Sequence, residues 1–124
     1  MVTLDDVRAA RQRIRDHVYF SPCGRSETLS RATGCNAYLK LENLQMTGAY
    51  KERGALNTLL LMAPEERGRG IIAASAGNHA QGVALAATSL GLRATVVMPE
   101  TAPVGKQAAT RAYGGEVVLA GADV

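Results

Sequence analysis

The sequence is poor in the residues on which the simplest functional assignments rest. It has two cysteines, Cys23 and Cys35, with neither a CxxC pair nor a Cys/His ligand spacing, so it specifies no zinc site and no disulfide framework and suits a reducing compartment. Tryptophan is absent and Phe20 is the only phenylalanine. No block of one charge occurs: 14 Lys and Arg stand against 11 Asp and Glu, a net +3 scattered along the chain, which excludes the footprint of a nucleic-acid-binding protein. Arg8, Arg11 and Arg15 share one helical face, which reads as a solvated face rather than a phosphate stripe. The N-terminal stretch MVTLDDVRAARQR lacks an apolar core followed by a small-residue cleavage site, so the expected location is cytoplasmic. Ile71 to Leu92 carries no formal charge, but Ser75, Asn78, His79, Gln81 and three glycines lie within it; amides are costly in lipid, and a membrane role is excluded.

What remains is the composition of an ordinary globular chain: 124 residues, 47% hydrophobic and 20% charged, enough for one compact domain or one and a half. Thr3 and Asp6 form a capping-box pattern, and Leu4, Val7, Ala10, Ile14 and Val18 give a helix to about His17. Ser21, Pro22 and Gly24 predict a turn, Glu27 to Gly34 a short helix, and Asn36 to Glu42 a strand with Ala37, Leu39 and Leu41 on a dry face. Gly48 to Met62 reads as a helix closed by Pro64, and Glu65 to Gly70 has linker composition, dividing the chain into residues 1–66 and 67–124. Beyond it the rhythm is βαβαβ: strand Ile71–Ser75, helix Asn78–Leu90, strand Ala94–Met98, helix Pro103–Tyr113, strand Glu116–Leu119. Such connections demand parallel strands with right-handed crossovers, hence an open α/β sheet. Asp123 suits the N-cap of a following helix, so the pattern expects another unit past Val124.

Two constellations carry chemistry. SAGNHAQG, Ser75 to Gly82, joins a strand end to a helix start, where open α/β sheets bind ligands and free helix amides attract a carboxylate or phosphate. The alternative is a tight turn with Asn78 as N-cap and His79 solvated. It is neither a Rossmann fingerprint nor a P-loop, because G-x-G-x-x-G and G-K-[ST] are both missing. In TGAYKERGALN, the helical neighbours of Lys51 are Thr47, Gly48, Gly54 and Ala55, all small. Two glycines cost a helix about 1 kcal/mol each, which suggests close approach of a backbone or a flat ligand. A lysine amine must be neutral to act as a nucleophile, at a cost of about 4 kcal/mol at neutral pH from its ordinary pKa unless burial or a nearby cation such as Arg53 assists. The alternative is an exposed lysine on a helix thinned for packing.

Taken together with VYFSPCGRSETLSRATG, YLKLENLQMTGAYKERGALN and VVMPETAPVGKQAATRAYGGEVV, these motifs closely resemble the threonine dehydratase (threonine ammonia-lyase) family of fold type II, pyridoxal-phosphate-dependent enzymes. The resemblance covers nearly the whole chain and implies an open parallel three-layer α/β sheet of the tryptophan synthase β-like kind, present here as an N-terminal portion. On it, residues 1–66 would belong to the large cofactor domain, including the lysine helix, and 67–124 to a partial small domain. It implies pyridoxal 5′-phosphate as cofactor, no metal, and an amino-acid substrate in a homo-oligomeric complete enzyme. Lys51 would hold the cofactor covalently and move the substrate's α-proton; Tyr50 stands where the family usually has phenylalanine, with a hydroxyl that needs a partner if buried; Asn78 would bond the pyridine 3-hydroxyl. Ser75, Ala76, Gly77, Asn78 and His79 would receive the substrate carboxylate. The reaction implied is β-elimination of water from threonine or serine to a 2-oxo acid and ammonia. Racemases of the family typically carry serine at the position of Ala76, so alanine favours the dehydratase. The family's glycine run for the cofactor phosphate is not in this sequence. The competing readings are a related serine racemase or lyase and a non-catalytic ligand-binding or interaction fragment of the same fold.

Overall fold

Strands and helices alternate through the second half of the chain, and the strands pair in parallel as that alternation requires. In the computed structural model, which describes residues 1–123, β3 (Ile71–Ala74), β4 (Ala94–Met98) and β5 (Glu116–Leu119) form a sheet in the order β3-β4-β5. Ile71 lies opposite Ala94, and Thr95 opposite Glu116. Between the strands run α5 (Asn78–Ser89) and α6 (Val104–Ala112). The central strand is the driest, with Val96 and Met98 closed from solvent against Ala80 and Ala102. Ala80, Ala84, Ala86 and Ala87 keep α5 thin, which lets it lie close to its neighbours over most of its circumference. The uncharged stretch Ile71–Leu92 is thus divided between a strand and a 12-residue helix, and no helix among the described residues is long and apolar enough to cross a membrane.

The first half departs from the sequence reading in several places. α1 (Leu4–Ile14) has its capping box, with Thr3 Oγ1 accepting from Asp6 N at 3.2 Å and Asp6 accepting from Thr3 N at 2.8 Å, but it stops before His17. The expected turn at Ser21 to Gly24 leads into a strand, β1 (Cys23–Arg25), antiparallel to β2 (Tyr38–Lys40) with Cys23 opposite Lys40. Between them α2 (Glu27–Thr33) is capped by Ser26 and ends at the left-handed Gly34. β2 is shorter than the alternation suggested, because the chain bends at Leu41 into a 3-10 turn, Glu42–Leu44, that carries Glu42 toward Arg53. The expected dry face is absent: Leu39 and Leu41 are exposed.

α3 (Lys51–Leu61) begins later than expected, since Gly48 is in a left-handed turn and the Thr47 amide is bonded to Glu52. The segment read as linker contains the short helix α4 (Pro64–Gly68), opened by Pro64 and by the Glu66 carboxylate, which accepts from Ala63 N at 3.0 Å. α3 lies between α1 and α5, and its Ala55, Leu56 and Leu59 meet Ile14, Val83, Ala86 and Ala87 in the main core. Burial of each leucine contributes about 1.5–3 kcal/mol.

Candidate active site

Lys51 is the first residue of α3, exposed, with Nζ 5.3 Å from the centroid of the Tyr50 ring. Tyr50 is itself 59% exposed, so its hydroxyl has no need of a buried partner. The backbone beneath Lys51 is held from both sides. Glu52 is buried, and its carboxylate accepts the Thr47 N–H at 2.9 Å, bracing the turn that delivers Lys51. Arg53 donates from Nε and Nη2 to Glu42 at 2.7 and 2.9 Å, and the Ser21 hydroxyl donates to the same carboxylate at 2.6 Å. The Arg53 guanidinium, and then the Ser21 hydroxyl and the Gln45 amide, hold the Glu42 carboxyl down at about 2 against the opposing effect of desolvation. The bond to Glu42 in turn raises Arg53 above its ordinary value. Arg53 therefore commits its charge to Glu42 and is not the free cation beside Lys51 that the sequence suggested.

The small-residue groove expected around Lys51 is built differently. Thr47 and Gly48 precede the helix, Ala55 is in the core, and a Cβ on Gly54 would meet nothing within 4 Å. The close backbone approach is instead at Gly82 of α5, where a Cβ would stand 3.1 Å from Glu52 N and 3.2 Å from the Lys51 carbonyl carbon. Gly82 lies one helical turn after Asn78. The lysine-bearing start of α3 is thereby seated beside the first two turns of α5.

At that end, Ser75 continues the parallel pairing of β3 through Ser75 N to Val97 O at 3.0 Å, and its Oγ accepts the Gly77 N–H at 3.2 Å. Gly77, extended, is the N-cap of α5 and offers no side-chain cap, which leaves the helix start open to an outside acceptor. Asn78 is the first helical residue rather than the cap, and its Oδ1 accepts from Lys106 Nζ at 2.6 Å. Ala76 is half-buried against the Val96 and Met98 cluster. His79 lines a groove of about 290 Å³ with Leu59, Met62, Ile72 and Val83. The structure thus gathers Ser75, Ala76, Gly77 and Asn78 about one helix start and joins Lys51 to it through Gly82. Sequence reading missed Glu42, Glu52 and Lys106, whose partners lie 11, 5 and 28 positions away.

The family model described as pyridoxal-phosphate dependent enzyme matches residues 14–124. An L-threonine ammonia-lyase of Thermotoga maritima is 50% identical over 121 residues, covering 98% of this chain and 30% of that protein. Among solved structures, a serine racemase of Dictyostelium discoideum superposes with a TM-score of 0.92 at 36% identity, covering 99% of this chain and 40% of the other. The processed form of a threonine deaminase isoform of Solanum lycopersicum does so with a TM-score of 0.83 at 42% identity, over 98% and 37%. The chain spans about a third of the length of the curated relatives it matches.

Proposed function

The chain belongs to the pyridoxal-phosphate-dependent enzyme family, and from this premise we propose that it is the lysine-bearing portion of a threonine/serine ammonia-lyase, which eliminates water from a hydroxy amino acid to an enamine that is then hydrolysed to a 2-oxo acid and ammonia. Residues 1–66 are assigned to its larger cofactor domain and 67–124 to its smaller α/β domain. The complete enzyme is placed in the cytoplasm as a homo-oligomer, with an amino acid as substrate. The observation that carries the reading is the close approach of the Lys51 and Glu52 main chain to Gly82, which seats the start of the lysine helix beside the first two turns of α5, a helix whose start has no side-chain cap.

The residues present fit the cofactor. The Lys51 amine is exposed beside the Tyr50 ring, which leaves it accessible to the cofactor's carbonyl. Lys51 would hold the cofactor covalently, Asn78 would bond its 3-hydroxyl, and Tyr50 would lie beside its ring; no residue here is assigned to its phosphate. When bound, pyridoxal 5′-phosphate supplies an electron sink at the substrate's α-carbon. The amides of the Ser75–His79 turn receive the substrate carboxylate, favoured by the positive end of α5. Lys51 Nζ takes the α-proton. Ala76 offers no exchangeable proton, so a single face of the α-carbon is served by an acid–base group, and elimination is favoured over racemisation. The likeness to serine racemase supports racemisation as the second reading, and Ala76 weighs against it.

Borohydride reduction of the chain with pyridoxal 5′-phosphate, followed by peptide mapping, tests the assignment. The adduct is expected on Lys51, and preferential labelling of Lys40 or Lys106 overturns it. Activity is read in a chimera in which this chain replaces the matching segment of the Thermotoga ammonia-lyase: it should deaminate L-threonine, and Lys51→Ala should abolish this.

A further inference from the structure

The one alignment of basic residues in the sequence is not a free convex face. Arg8, Arg11 and Arg15 line a cavity of about 760 Å³ together with Lys40 and Arg53, and the rest of its wall includes Gln12, Ile14 and Phe20. We propose that this cleft between α1 and the 18–23 segment binds a compact polyanion, a small molecule carrying phosphate or several carboxylates. The site goes beyond the ammonia-lyase reading and shares no residue with Lys51 or the Ser75–His79 turn.

Charge and shape carry the inference. Among the described residues, five cationic side chains line the cleft and no carboxylate does. Asp5 and Asp16, which pair with Arg8 at 3.1 Å and Arg15 at 3.4 Å, lie outside the lining, and such exposed pairs are readily exchanged for another anion. Arg53 is committed to Glu42. Arg11 and Lys40 are held differently: the Arg11 guanidinium lies 5.9 Å and Lys40 Nζ 4.6 Å from the centroid of the Phe20 ring, and Lys40 also donates to the Ser21 carbonyl. An aromatic ring and a carbonyl orient a cation without cancelling its charge. Phe20 is 76% exposed, an unusual position for the chain's only phenylalanine, and serves as the support of two un-neutralised cations. The volume suits a small molecule rather than a helix or a duplex. Guanidinium forks together with an ammonium favour an oxyanion of charge two or more.

Because Phe20 is unique, incorporation of 4-fluorophenylalanine places a single ¹⁹F reporter in the cleft. The 124-residue chain would be titrated with inorganic pyrophosphate, with citrate, and with sodium chloride at matched ionic strength. A saturable shift is expected with the polyanions, weakened about tenfold or more by Arg11→Gln and by Lys40→Gln and unchanged by Arg111→Gln, which lies outside the cleft. Arg11 is exposed on its helix, so its replacement leaves the core intact, and circular dichroism checks this. Tighter binding of pyrophosphate than of citrate identifies a phosphate-bearing ligand, and the reverse order a polycarboxylate. A shift no larger than that with sodium chloride, or equal affinity in wild type and Arg11→Gln, overturns the proposal.

Discussion

At Glu42 a single carboxylate ties the segment before β1 to the 3-10 turn and to α3, accepting from Ser21, Gln45 and Arg53. Glu42→Gln removes the charge but leaves Arg53 sheltered and without its partner, and should cost about 2–3 kcal/mol in urea unfolding at pH 7. The sign of the pH effect follows from the folded carboxyl being held at about 2, below its ordinary 4.5. Its stabilisation is fully present above pH 4.5 and is lost as the pH falls toward 2, so the gap between wild type and Glu42→Gln should narrow across that window. A gap that stays constant over the same range removes Glu42 from the acid response. At Ala76 the question is chemical. In the chimera, Ala76→Ser should raise D-serine formation relative to pyruvate release from L-serine, because on the proposed reading it would supply a hydroxyl on the face opposite Lys51; an unchanged ratio rejects that role.

Helices and strands differ in how much of their formation is local. The βαβαβ half was legible because Gly91 and Gly114 stop helices by their own backbone preference and β4 is uncharged and rich in β-branched residues. β1 was not, because Cys-Gly-Arg has no periodicity and becomes a strand only by pairing with Tyr38–Lys40. The start of α3 was misplaced because it is fixed by the Glu52 to Thr47 bond, a tertiary choice over helix propensity. The candidate loop was readable since its polar residues cluster within a few positions, whereas the groove around Lys51 was attributed to Thr47, Gly48, Gly54 and Ala55 when Gly82 supplies the close backbone contact. The two glycines should respond oppositely to alanine. Gly82→Ala puts a carbon 3.1–3.3 Å from main-chain atoms of Lys51 and Glu52, which cannot rotate away, and should cost about 1–3 kcal/mol while reducing the preference for Lys51 in borohydride labelling. Gly54→Ala fills open space in a helix interior and should stabilise by about 0.5–1 kcal/mol. Chemical denaturation of both variants checks the pair.

As a whole molecule the chain presents more apolar surface than its core accounts for. Leu39, Leu44, Leu61 and Ile72 are all exposed, and Ile72 lies on β3, an edge of the parallel sheet. Size-exclusion chromatography with light scattering should find the 124-residue chain self-associated and binding a hydrophobic dye. Ile72→Lys should shift it toward the monomer, and a compact wild-type monomer that binds no dye rejects the expectation. The contact at Gly82 also bears on how the sequence can drift. Position 82 is disfavoured for other residues by folding alone, since every replacement adds a carbon 3.1–3.3 Å from the main chain of Lys51 and Glu52. Position 77, in the same motif, has an ordinary extended backbone and free space where a Cβ would stand, so folding leaves it open to substitution. In a library saturating both sites and sorted first for folding and then for activity in the chimera, glycine at 82 should be enriched by the first sort and glycine at 77 only by the second, which would separate selection for architecture from selection for a ligand.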